Sequence, residues 1–131
     1  MKYMGIDFGS KRVGVAVSDS SNAFALPLIV LENKKNLYDE LNTIICDKEI
    51  THIILGESKN FQGQDNVIME KMRVFKETIE NKFQKPVIFE PEFMSSHQAE
   101  RFQGKNDMLD ASAAAIILQS YLERLKNTEN K

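Results

Sequence analysis

Apolar and polar residues alternate with a period of two through the first third of the chain. From Lys2 to Phe8, Met4, Ile6 and Phe8 alternate with Tyr3, Gly5 and Asp7, which is the pattern of a strand and puts Asp7 on the face opposite Ile6 and Phe8. Gly9 to Lys11 supplies a turn. Val13, Val15 and Val17 then alternate with Gly14, Ala16 and Ser18, giving a second strand and a hairpin. The Gly14/Ala16 face of that strand is small enough to admit a close neighbour. Asp19 to Asn22 is rich in turn residues, and Phe24 to Glu32 reads as a third strand in which Pro27 implies an edge position or a bulge.

Beyond the polar break 33–36 the period changes. Leu37, Leu41, Ile44 and Ile45 recur at helical spacing and predict an amphipathic helix to about Lys48. His52 to Leu55 reads as a buried strand ending at Gly56, followed by a polar loop from Glu57 to Asp65. Val67 to Phe83 is a second helix with Val67, Met72, Phe75 and Ile79 on its apolar side, and Pro86 to Phe89 is a short buried strand. Ser95 to Phe102 reads as a short helix broken by Gly104 to Asn106. A last helix from Asp107 to about Lys126 carries Ala111, Ala114, Leu118, Leu122 and Leu125, with alanines where a helix presses closest to a sheet. The order β-β-β-α-β-α-β-α is that of an α/β ribonuclease H-like fold. In it, a mixed five-stranded sheet of three antiparallel strands continued by two parallel ones is flanked by helices.

Composition narrows the class. At 131 residues the chain fits one domain, taken as 1–126, with a polar tail over 127–131. A formal charge of -2 requires any nucleic-acid partner to meet a local basic patch rather than a globally basic surface. The lone Cys46 excludes an intrachain disulfide, and its apolar neighbours Ile44 and Ile45 predict a buried structural thiol. The start lacks a long apolar core, and the longest apolar run, Phe24 to Leu31, is interrupted by Pro27 and too short to cross a bilayer, so the expectation is a cytoplasmic protein without membrane contact.

Three carboxylates fall where this topology brings strand ends and a helix start together. Asp7 is near the end of the first strand, Glu92 follows the last strand, and Asp110 lies in the opening turn of the last helix, on a stripe with Ala114, Ile117 and Tyr121 that faces the sheet. Clustered carboxylates repel, by about 4 kcal/mol at ~4 Å and an effective dielectric near 20, unless a cation intervenes. Hard oxygen donors suit Mg²⁺ or Mn²⁺, and a pair of such ions assists in-line attack on a phosphodiester. Each acid alone has a plainer explanation: turn hydrogen bonding for Asp7, helix capping for Asp110, and for Glu92 competition from Glu57 and Glu90, which also lie beside strand ends. Only the triple points to chemistry.

The stretch from Met4 to Asp19, MGIDFGSKRVGVAVSD, resembles the first motif of the YqgF family, also called RuvX, whose members are assigned as Holliday junction resolvases or pre-16S rRNA nucleases within the RuvC-like branch of the ribonuclease H-like superfamily. The resemblance extends through IILGESKNFQG (Ile53 to Gly63) and LDASAAAIILQSYLE (Leu109 to Glu123). It implies that Asp7, Glu92 and Asp110 are catalytic and bind Mg²⁺ or Mn²⁺, two ions in all. It further implies that water cleaves the backbone without a covalent enzyme intermediate, and that Lys11, Arg12, Lys59 and Asn60 contact substrate. The implied partner is structured or precursor rRNA or branched DNA, bound by a monomer or a homodimer. The third motif departs from the family: Pro91 and Phe93 flank Glu92 where the family has aspartate and arginine, and Glu57-Ser58 replaces Leu-Pro after Gly56.

Two other readings follow from the same residues. Pro91 and Phe93 favour a nucleic-acid-binding or ribosome-assembly module with weakened catalysis. The run Gly5-Ile6-Asp7-Phe8-Gly9 also resembles the phosphate hairpin of the ATP-binding actin and Hsp70 superfamily, but one domain leaves no room for the second half of that site. His52 is expected to be packed, His97 to be exposed, and Phe61 to anchor its loop or stack on an unpaired base.

Overall fold

Strand alternation at the start of the chain becomes a three-stranded meander, to which two parallel strands are added. The computed structural model describes residues 1–9, 11–57, 67–91 and 109–129. Strands β1 (Tyr3–Phe8), β2 (Arg12–Ser18), β3 (Ala25–Glu32), β4 (His52–Glu57) and β5 (Val87–Pro91) line up in the order β3-β2-β1-β4-β5. The β1/β2 and β2/β3 pairings are antiparallel, and the β1/β4 and β4/β5 pairings are parallel. Helices α1 (Leu37–Asp47), α2 (Val67–Phe83) and α3 (Leu109–Glu129) complete the described elements. The predicted helix over Ser95–Phe102, the break after it and the loop 58–65 lie outside the described residues.

The two-residue period sorts the sheet into two faces. Met4 and Ile6 pair with Val17 and Val15, and with Val13, Ile53, Leu55 and Val87 they pack on Leu37, Leu41 and Ile45 of α1 and Met72, Phe75 and Ile79 of α2. Each such side chain, fully buried, contributes roughly 1.5–3 kcal/mol. Tyr3, Ala16 and Ile54 point the other way, onto Ala114, Ala115, Ile117, Leu118 and Leu122 of α3. Glycine and alanine are needed on that face because α3 rests on the strand backbone itself. A Cβ on Gly5 would lie 2.7 Å from Leu118 Cβ and 2.9 Å from the Ala114 carbonyl oxygen.

Contacts along α3 fix its direction. The Tyr121 ring lies 5.8 Å from the Tyr3 ring at the start of β1, while Ala114 and Leu118 meet Gly5. The helix therefore runs antiparallel to β1 and brings its opening turn toward the end of the strand where Asp7 stands. Gln119 fastens the helix laterally: its Oε1 accepts from Ala25 N at 2.8 Å and its Nε2 donates to Ala23 O at 2.9 Å.

The β2–β3 turn is organised by Asp19, whose Oδ1 accepts from Ala23 N at 3.1 Å and Phe24 N at 3.3 Å, with Ser21 Oγ 3.0 Å from both carboxylate oxygens. Partial desolvation raises the Asp19 pKa, but the hydrogen bonds from Phe24, Ser21, Ala23 and Asn22 outweigh it and hold the group below its ordinary value. A lowered folded-state pKa stabilises the fold above the unfolded value near 4, and that share is lost as pH falls through the folded value. Asp19→Ala is expected to reduce the loss of stability between about pH 6 and about pH 3, read as a smaller shift of the urea midpoint.

Several boundaries differ from expectation. β3 begins at Ala25 because Phe24, 62% exposed, still belongs to the turn through the bond from Asp19 N to its carbonyl. Pro27 does mark a bulged edge strand, with a register shift opposite Val15/Ala16. β4 and β5 each run further than expected, since the parallel ladder continues to Glu57↔Pro91, and α3 begins at Leu109 and continues to Glu129, past the expected tail boundary. Cys46 is exposed, not buried. The buried stripe of α1 is Leu37, Leu41 and Ile45; the next residue lies about 100° around the helix, so apolar neighbours in sequence did not place Cys46 on the apolar face. His52 is half-buried, its Nδ1 2.9 Å from Thr51 Oγ1 and its ring 5.3 Å from the Tyr3 ring, as a packed histidine. Among the described residues no helix is long and apolar enough to cross a membrane.

Candidate active site

The parallel strands β1, β4 and β5 end at one edge of the sheet. Register pairs Ile6 with Leu55, and one step further Gly56 with Glu90 and Glu57 with Pro91. Asp7 is the penultimate residue of β1, opposite Gly14 of β2, half-buried and on the face that α3 covers. Because α3 runs antiparallel to β1, Asp110, its second residue, is carried toward the Asp7 end of the strand. The direction of the Asp110 side chain lies outside the described residues, although Ala114 and Ile117 of its predicted stripe are buried and Tyr121 is half-buried. Glu92 immediately follows the last residue of β5 and, with Lys59, Asn60, Phe61 and His97, also lies outside the described residues. Among the described residues, no three His, Cys, Asp or Glu side chains are grouped to hold a metal ion.

The turn after β1 presents the predicted basic pair. Gly9 is required there, since a Cβ at that position would lie 2.6 Å from the Arg12 carbonyl oxygen. Lys11 and Arg12 are both exposed. The turn is held from beneath by Asn33, whose Nδ2 donates to Gly9 O at 2.8 Å and whose backbone N–H donates to Lys11 O at 2.9 Å. Asn33 was not singled out in the sequence, where it reads as one polar residue of a break; its role depends on the β2/β3 register, which brings Glu32 opposite Arg12.

Glu90, the competitor of Glu92 for an acidic role, has a different occupation. It is 2% exposed, on the α3 side of β5, with Arg124 Nη2 2.6 Å from Oε1 and Ser120 Oγ donating to Oε2 at 3.0 Å. An inward carboxylate on a strand, set beside a late helix with an arginine four residues after a serine, was the available sequence signal for this pair. Removing the arginine leaves a buried anion without its countercharge, but Arg124 is 59% exposed, so water moderates the loss. Arg124→Leu is expected to cost about 2 kcal/mol, seen as a lower urea midpoint with unchanged slope.

With its three-strand meander, two parallel additions and a helix laid along the central strand, the molecule has the ribonuclease H-like fold. Solved structures share it at low sequence identity: Thermus thermophilus RuvC superposes with a TM-score of 0.61 at 13% identity, covering 96% of this chain and 97% of that one, and the fowlpox virus resolvase in complex with Holliday junction DNA with a TM-score of 0.58 at 15% identity, covering 95% and 99%. Within that fold the chain belongs to the RuvX family, described as Holliday junction resolvase, which it matches over residues 1–124. Relatives named "Putative pre-16S rRNA nuclease" include one from Maridesulfovibrio salexigens, 35% identical over 95% of this chain and 99% of its own length. Another, from Desulfitobacterium hafniense, is 33% identical over 100% and 99%.

Proposed function

We propose that this protein is a divalent-metal-dependent nuclease that hydrolyses phosphodiester bonds of structured or precursor RNA in the cytoplasm, with 5′-end maturation of pre-16S rRNA as its physiological task. The observation that carries this reading is that Asp7 stands next to the end of the central strand on the face covered by α3, with Asp110 in the opening turn of that helix, in a chain of the RuvX family. Glu90 is already engaged by Arg124 and Ser120, which favours Glu92, the next acid along the chain, as the third member of the set.

An all-carboxylate donor set of Asp7, Glu92 and Asp110 fits Mg²⁺ or Mn²⁺, and would hold a pair of ions. Such ions, when bound, supply Lewis acidity toward the phosphoryl group and lower the pKa of water. Asp7 sits on a rigid central strand packed on both faces, which fixes its carboxylate relative to the helix that bears Asp110. Lys11 and Arg12 hold phosphate on the strand under attack, and Lys59 and Asn60 extend the contact along it. Phosphate contacts position the substrate and carry no base sequence, so selection rests on RNA shape.

The test is cleavage of a 5′ precursor segment of 16S rRNA, with a single-stranded RNA and a four-way DNA junction alongside, in Mg²⁺ and in Mn²⁺. Cleavage of the precursor supports the proposal. Binding without cleavage in either metal supports instead a ribosome-assembly module, and preference for the junction with a dimeric protein supports resolution of branched DNA. Two lost phosphate contacts are also expected to show in salt dependence: the combined Lys11→Ala and Arg12→Ala variant should flatten the slope of log K against log salt by about 1.4 on a single strand.

A further inference from the structure

Asp7 and Phe8 are neighbours on β1, so their side chains leave opposite faces of the sheet at the same edge. On the Phe8 side a cleft of about 600 Å³ opens between the end of β1, the residues after β3, and helices α1 and α2. Phe8, Tyr38, Val74 and Phe75 give it an apolar and aromatic lining, and Asn33 and Lys71 supply polar groups. Phe75 is buried and holds the aromatic wall in place, with the Phe8 ring centroid 4.5 Å away and that of Tyr38 5.9 Å away. Val74 is 59% exposed, a large apolar side chain left open to water.

We propose that this cleft receives one unpaired nucleotide of the strand whose phosphates meet the Gly9–Arg12 turn. The inference rests on the nucleic-acid-binding part of the function proposed above, and not on cleavage. Continuity argues for this occupant, because Asn33 is at once a wall of the cleft and the residue that holds the turn at Gly9 and Lys11. The turn that carries Lys11 therefore adjoins the mouth of the cleft, within reach of one strand. The lining matches a nucleotide: aromatic and aliphatic surface for the base, Lys71 for the sugar–phosphate, and the Asn33 Oδ1, which accepts no hydrogen bond among the described residues, for a base amino group. Glu70 also lines the cleft and adds a second acceptor, favouring bases with an exocyclic amino group (adenine, guanine, cytosine) over uracil.

The full chain with Ca²⁺ in place of Mg²⁺, titrated against a short single-stranded RNA bearing 2-aminopurine at one interior position, tests this assignment. Emission is expected to change at saturation as the base leaves its neighbours for the cleft. Val74→Asp, an exposed position where the fold is not at stake, should abolish the change and weaken binding about tenfold. The Lys11→Ala/Arg12→Ala variant should weaken binding yet keep the emission change when saturated. Adenosine monophosphate alone should bind only weakly; tight binding of it by calorimetry, with the RNA binding no more tightly than the mononucleotide, would make the occupant a free nucleotide and overturn the proposal. Saturable RNA binding with unchanged emission, and equal affinity for Val74→Asp, would show the cleft empty and leave the nucleic-acid reading standing. Failure of wild type to bind RNA at all would remove both.

Discussion

Asp7→Asn is expected to reduce metal-dependent cleavage of precursor RNA on the order of 10³-fold while leaving the thermal midpoint within a few degrees of wild type. The size follows from the several kcal/mol of charge stabilisation that a divalent ion supplies, at ~1.4 kcal/mol per factor of ten. The substitution keeps the shape of the side chain and removes the charge, so the β1/β2 ladder at Asp7↔Gly14 is undisturbed. Manganese titration followed by calorimetry separates the causes: a weakened ion site accounts for the loss by metal binding, whereas unchanged binding with lost turnover would assign Asp7 a role after the metal is bound. Cleavage at near wild-type rate would refute the assignment of Asp7 and with it the trio of acids.

Gly5→Ala is expected to be strongly destabilising. The new methyl would overlap Leu118 Cβ and, more seriously, the Ala114 carbonyl oxygen, which is backbone and cannot rotate away. Overpacking of this kind costs typically 1–3 kcal/mol, and here about 3, because the helix must lift off β1 along its length. For a chain of this size that corresponds to a fall in Tm of about 10 °C. Lifting α3 also moves its first turn, so activity should fall further than stability alone predicts at a temperature where both proteins are folded. A Gly5→Ala protein as stable as wild type would mean that α3 does not rest on β1 as described.

Most of the fold was legible because its elements announce themselves by period. Tyr3-Gly5-Asp7 against Met4-Ile6-Phe8 gave β1 and its two faces, and the α2 stripe Met72, Phe75, Ile79 was recovered with the helix bounds Val67–Phe83. Strand ends were less legible: the ladder extends to Pro91 through pairing with Glu57, which are residues of poor strand propensity held by a neighbour. Cys46 failed for a different reason, since a short apolar run says nothing of which side of a helix each member takes.

The site divides in the same way. Asp7 could be placed from alternation alone, and the approach of Asp110 follows from the direction of α3, which no local pattern encodes. It emerges only from Tyr121 meeting Tyr3 and Leu118 meeting Gly5, contacts between residues far apart in sequence. Asn33 was invisible for that reason too, and the Glu90–Arg124 pair left only a faint signal in the Ser120/Arg124 spacing, because each depends on tertiary register.

The helix laid over Gly5 and Ala16 has a consequence for how the protein is made. Of the described elements α3 leaves the ribosome last, so the meander β1–β2–β3 and both parallel strands emerge with one apolar side bare. Until α3 is released, no other described element of the nascent polypeptide covers that surface, and it offers chaperones and stray neighbours a place to adhere. Conditions that slow elongation through the α3 segment should therefore lower the soluble yield more sharply than conditions that slow initiation.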